Sequence, residues 1–141
     1  MTDAGAKVIV ATVPDLGLTP FARAQNTSTS DAMRSKLLSQ LTDAFNSRMS
    51  VTLINDGRLI GLAYGDIETQ NESKFPASFG LINVVEAACA ATAPLPTCTP
   101  STLVTNASAG GHMWADGLRL GPTPQARLGA LASQRATTNT F

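Results

Sequence analysis

A chain of 141 residues with ten Lys and Arg against ten Asp and Glu has no formal net charge at neutral pH, and its length sets an expectation of one domain. Only 14% of its residues are charged, which argues against a nucleic-acid binder with a basic face for phosphates and against a polybasic membrane contact. Its hydrophobic fraction of 43% is too high for a disordered chain, and no apolar run approaches the roughly 18 residues of a membrane span.

The opening stretch, Met1 to Lys7, lacks the basic n-region and the cleavage site of a signal peptide. Val8-Ile9-Val10-Ala11-Thr12-Val13 is a β-branched run without polar alternation, closed by Pro14-Asp15-Leu16-Gly17. Such a run predicts a strand buried on both faces, as in a parallel sheet. Residues 19–27 read as loop, with Pro20 and Asn26 as breakers. A helix is expected from Ser30 or Asp31, either of which can cap it. Met33, Leu37, Leu38, Leu41, Ala44, Phe45 and Met49 then fall on one stripe at helical spacing. The segment 51–64 fits either a hairpin around Asn55-Asp56-Gly57 or a helix ending near Ile54 followed by a strand over 58–64. The second is preferred, because strand, helix and strand then form one βαβ unit with a right-handed crossover. Residues 66–111 read as mostly irregular, with one turn of helix at Asn83–Ala88. A last helix is expected over 122–136, opened by Pro122 or Pro124, and residues 137–141 should fray.

Cys89 and Cys98 flank Pro94 and Pro96. Two thiols without further His or Cys cannot make a four-ligand zinc site, and neither a metal nor a cofactor is implied. The short spacing permits a local disulfide, which the chain-entropy model credits with roughly 2.5–3 kcal/mol. A pair of reduced thiols is the alternative if the chain stays in a reducing compartment.

Taken in order, these segments resemble the C-terminal part of GDSL/SGNH-type esterases and lipases. The residues that carry the resemblance are VIVATVPDLG over Val8–Gly17, Leu41–Asn46, and Phe75-Pro76-Ala77-Ser78-Phe79-Gly80-Leu81-Ile82-Asn83-Val84. They continue with Cys89 and Cys98-Thr99-Pro100-Ser101, Trp114-Ala115-Asp116, and then Gln125, Leu128-Gly129, Leu131-Ala132 and Arg135-Ala136. The resemblance implies an α/β chain, read as a single module over 1–141, with a partial flavodoxin-like three-layer fold around a small parallel sheet. It implies a bridge between Cys89 and Cys98. It also implies ester or lipid substrates if the chain is active, and kinship with proteins that are often secreted or surface-associated.

The catalytic blocks of that family are incomplete here. Its Gly-Asp-Ser nucleophile turn and its oxyanion-hole Gly and Asn have no counterpart, and Gly65-Asp66-Ile67 puts Ile67 in the Ser place, a loop coincidence. Asp116 stands at the Asp of the family's Asp-x-x-His block, with Arg119 where the His belongs. A His there can accept and return a proton near neutral pH, whereas arginine stays protonated. His112, the one histidine, is the other candidate base, with Ser101 or Ser108 as imaginable nucleophiles. A solvated, idle histidine beside Gly110-Gly111 is the simpler expectation. Asp15 is expected to hydrogen-bond its own turn, and Met113 and Trp114 to anchor the core.

The reading that follows is a truncated or degenerate SGNH-like module, inactive as an isolated chain. The alternatives are an esterase completed by another chain or by relocated residues, and a non-catalytic interaction or surface protein. The outer edge of the strand at Val8–Val13 is expected to mediate homo-oligomerisation, because unpaired edges recruit partners.

Overall fold

The computed structural model describes residues 2–28, 33–53 and 59–138. Among them the chain is mixed α/β, with four α-helices and two small parallel sheets of two strands each. Only Val8–Ala11 of the β-branched run is strand, β1, and it is half-buried to exposed instead of buried on both faces. Strand β2 (Ile60–Ala63) pairs with it in parallel, Val8 opposite Ile60 and Ala11 opposite Ala63. Between them lie α1 (Pro20–Ser28) and α2 (Arg34–Thr52). The expected parallel pair with a helix crossing between its strands is therefore present. The proposed caps Ser30 and Asp31, and the end of the helix at Ile54, lie outside the described residues.

Helix α1 overturns the loop expected over 19–27. Thr19 precedes Pro20, and its Oγ1 accepts a hydrogen bond from the Ala22 amide at 3.1 Å. That is an N-cap followed by proline in the first turn, where a missing N–H costs nothing. Asn26, read as a breaker, instead reaches across to α2. Its Oδ1 accepts from the Ser35 amide at 3.0 Å and its Nδ2 donates to Ser35 Oγ at 2.6 Å. One otherwise orphaned first-turn donor of α2 is satisfied this way.

Helix α2 turns its apolar stripe outward. Met33, Leu37, Leu41 and Phe45 are 54–57% exposed, while Thr42 and Asn46 are the buried residues. The face that meets the body is polar because it meets polar loop backbone. A short 3-10 turn at Leu16–Leu18 packs against α2, the Leu16 amide donating to Thr42 Oγ1 at 3.3 Å. Gly17 has no room for a side chain there: a Cβ would collide with the Ser35 carbonyl and Ser39 Oγ.

The long stretch expected to be irregular contains α3 (Gly65–Lys74) and a 3-10 turn at Pro76–Phe79. Asn83–Ala87 is β3, a strand and not a turn of helix. It pairs in parallel with β4 (His112–Trp114), Asn83 opposite His112 and Ala87 opposite Trp114, with an irregularity between. Val84 and Val85 suit a pleated surface, and a partner 27 to 29 residues away decides the matter. Met113 and Trp114 anchor the core with Leu81, against Leu18, Phe79, Val84 and Leu120, and Trp114 Nε1 donates to the Val84 carbonyl at 3.2 Å. Helix α4 (Pro122–Thr138) starts at the expected proline and continues past the expected end. Thr137 is helical, its hydroxyl bonded to the Ser133 carbonyl at 2.9 Å, so fraying does not begin there. Residues 139–141 lie outside the described residues. Arg135 of α4 donates from Nε to the Leu62 carbonyl of β2 at 2.8 Å.

Cys89 and Cys98 form a disulfide, with Cα atoms 5.8 Å apart. It closes a loop hung on β3, which returns through the Cys89–Leu103 bridge. Alkylation under denaturing, non-reducing conditions should label neither cysteine, and Cys89→Ser with Cys98→Ser should lower unfolding stability by about 2–3 kcal/mol in denaturant titration.

Candidate functional site

The turn after β4 carries the residues that the sequence resemblance singles out. Asp116 is buried, and its Oδ1 accepts from the backbone amides of Leu118 at 3.0 Å and Arg119 at 2.8 Å. Its Oδ2 lies 3.1 Å from Arg119 Nε. The turn closes with the Ala115 amide on the Arg119 carbonyl at 2.8 Å, and α1 docks onto it through the Phe21 amide and the Gly117 carbonyl at 2.9 Å. Asp116 is thus the keystone of a tight turn. The guanidinium that pairs with it is more than half exposed, so the pair itself adds little stability.

His112 is buried, which corrects the expectation of a solvated loop histidine. It sits on β4 with Nδ1 at 3.1 Å from the Ser108 carbonyl. A carbonyl only accepts, so Nδ1 is the donor in this contact. Ser108 therefore meets His112 through its backbone and not its hydroxyl, which accepts from the Gly111 amide at 3.1 Å. Ser101 lies in the 3-10 turn at Pro100–Thr102, its hydroxyl 2.9 Å from Thr99 Oγ1. Among the described residues no hydrogen bond joins His112 to Asp116 or to either serine hydroxyl. The fold brings His112 and Ser108 together through atoms that do not make a nucleophile–base pair.

A second constellation lies where the parallel strands end, the usual place for ligands in open α/β sheets. Thr12 donates to Asp66 Oδ1 at 2.6 Å and accepts from the Asp66 amide at 3.1 Å. Asn46 holds both polar groups of Val13, accepting from its amide at 2.9 Å and donating to its carbonyl at 2.8 Å, and also donates to Asp66 Oδ2 at 3.3 Å. Asp15 caps its own turn as expected, accepting from the Gly17 amide at 2.9 Å. It further accepts from Ser39 Oγ at 2.7 Å. Gly65-Asp66-Ile67, expected in a loop, is helical. It opens α3, with Gly65 pressed against the Thr12 carbonyl and Leu128. Sequence reading missed Thr12, Asn46 and Asp66 as a unit. The readable signal was the polar stripe Ser35, Ser39, Thr42, Asn46 at helical spacing on α2.

Glu72 was also missed. It is fully buried on α3, and neither carboxyl oxygen has a hydrogen-bond partner. The nearest cation is Arg127 of α4, with Nε 3.4 Å from Glu72 Oε1, 2.8 Å from Glu68 Oε1, and its guanidinium stacked over Phe79. Burial, reinforced by the neighbouring Glu68 charge and opposed by Arg127, pushes the Glu72 carboxyl up from 4.5 to about 7. Among the described residues no group of three His, Cys, Asp or Glu side chains is arranged to hold a metal ion, and no helix is long and apolar enough to cross a membrane.

No protein-family model matches this chain, and no curated protein matches it either.

A raised acid favours the fold while it is protonated. The Glu72 contribution is fully present below about pH 4.5 and is lost as the pH rises through about 7. Glu72→Gln should therefore leave stability unchanged at pH 4, raise it at pH 8, and flatten the pH dependence of thermal unfolding between those values.

Proposed function

We propose that this chain is a degenerate SGNH-hydrolase-like module that performs no ester hydrolysis by itself. The strand–helix–strand unit β1–α2–β2, with α4 packed against β2, supports a partial flavodoxin-like arrangement of layers. The observation that carries the functional reading is the engagement of Asp116. An Asp that orients a catalytic His must offer an oxygen to that ring. Here one oxygen holds two backbone amides and the other faces Arg119. The only histidine is bonded to a backbone carbonyl instead. A guanidinium has donors and no acceptor atom, so Arg119 offers nothing to take a proton from a serine or water, and the Asp116 oxygens beside it are already engaged.

A second reading, an interaction module without chemistry, draws on a different observation. The apolar ridge of α2 faces outward, and the largest exposed apolar patch of a protein is often a contact site. The two readings are compatible, since a hydrolase-like scaffold without its catalytic groups is free to serve as a surface.

Purified chain should hydrolyse p-nitrophenyl acetate and butyrate no faster than buffer. Arg119→His should behave the same, because a base without a nucleophile gains nothing. Turnover above background that disappears in His112→Ala or Asp116→Ala would contradict the reading.

A further inference from the structure

Helix α2 and its N-cap residue Met33 present Met33, Leu37, Leu41 and Phe45 at every fourth residue along one exposed ridge. Leu16 and Phe21, both more than a third exposed, extend the patch. Two shallow grooves run beside the ridge. One is walled by Leu16 against Leu41 and Phe45, the other by Phe21 against Leu37, with Leu38 between them. A large apolar side chain about half exposed leaves on the order of 100 Å² to be covered. The patch then amounts to roughly 600 Å², the upper end for the largest apolar patch on a monomer. A standard interface buries about 800 Å² on each partner.

From this we infer that the α2 ridge is the interface of a two-fold homodimer. The ridge and its grooves are self-complementary. Ridges formed by every fourth residue interdigitate when two helices cross at about −50°, and a two-fold axis lets each copy supply both ridge and groove. The chain is neutral overall, so two copies approach without net repulsion. With the axis midway between Leu37 and Leu41, Leu37 of one copy meets Leu41 of the other and Met33 meets Phe45. Arg34 then lies across from Ala44 and not from the like-charged Arg48. The inference is independent of the hydrolase resemblance. It also relocates the self-association expected at Val8–Val13. Among the described residues β1 has no strand on its far side, but its strand is only four residues long and offers a short ladder. The α2 patch offers more area to bury.

Sedimentation velocity across a hundredfold concentration range should show a monomer–dimer equilibrium. Leu41→Glu with Phe45→Glu should abolish the dimer while leaving the far-ultraviolet circular dichroism unchanged, because both side chains are already more than half exposed. Hydroxyl-radical footprinting of the unmodified chain provides a check that needs no variant: Met33 and Phe45 should become several-fold less reactive at the high concentration. A monomer throughout the range overturns the inference. So does a dimer that survives the double substitution, which would place the contact on another face, the β1 edge included. Footprints at Met33 and Phe45 that do not change while a dimer forms overturn it equally.

Discussion

Asp66 is where three elements of this fold meet. Its carboxylate takes the hydroxyl of Thr12 at the end of β1 and the amide of Asn46 from the middle of α2, while its own amide opens α3. Asn46 at the same time satisfies both backbone groups of Val13. The chain leaving β1 would otherwise carry part-buried, unpaired backbone, and an unsatisfied group costs up to about 1–3 kcal/mol when fully buried. A hydrophobic face on α2 could not answer those groups. The helix therefore packs through Thr42 and Asn46, and its leucines are displaced to the outside. The outward ridge, the docking of the Leu16–Leu18 turn and the seating of α3 all descend from that one exchange of polar partners.

The same logic explains which parts of the fold were legible in the sequence. The parallel pair was legible because Val8-Ile9-Val10 has no polar alternation, and α4 because Pro122 and Pro124 mark a helix start. The α2 helix was legible as a helix but not in its orientation. The spacing of Met33, Leu37, Leu41 and Phe45 is that of a buried stripe, and only the partner across the interface decides whether the leucines or Ser35, Ser39, Thr42 and Asn46 face inward. Helix α1 was lost because Pro20 and Asn26 were read as breakers, when Pro20 is a first-turn proline behind the Thr19 cap and Asn26 holds the start of α2. β3 was lost because its pairing with β4 is non-local and only a few residues long. Glu72 left no signal at all: a glutamate in a polar helix is ordinarily solvated, and the Arg127 that meets it arrives from α4, far along the chain.

At the candidate site, sequence and structure differ in kind. Spacing alone set His112, Asp116 and Ser108 within a few residues of one another, which is compatible with catalytic contact. The fold spends those groups on architecture instead. Asp116 ties off the turn that receives α1, and His112 lies in β4 bonded to the Ser108 carbonyl. Arg119 is consistent with that use, since a permanently charged partner can close a turn but cannot accept a proton from a nucleophile.

The dependence of the fold on Asp66 and Asn46 is open to direct measurement by a double-mutant cycle. Urea unfolding of Asn46→Ala, Asp66→Ala and the double variant should be followed at one low protein concentration. Each single substitution is expected to cost about 1–2 kcal/mol, because it strands part-buried partners. The double variant should cost at least 1 kcal/mol less than the two losses added together, as expected for residues in one network. Single losses below about 0.5 kcal/mol, the range of surface substitutions, or strictly additive losses would contradict the account.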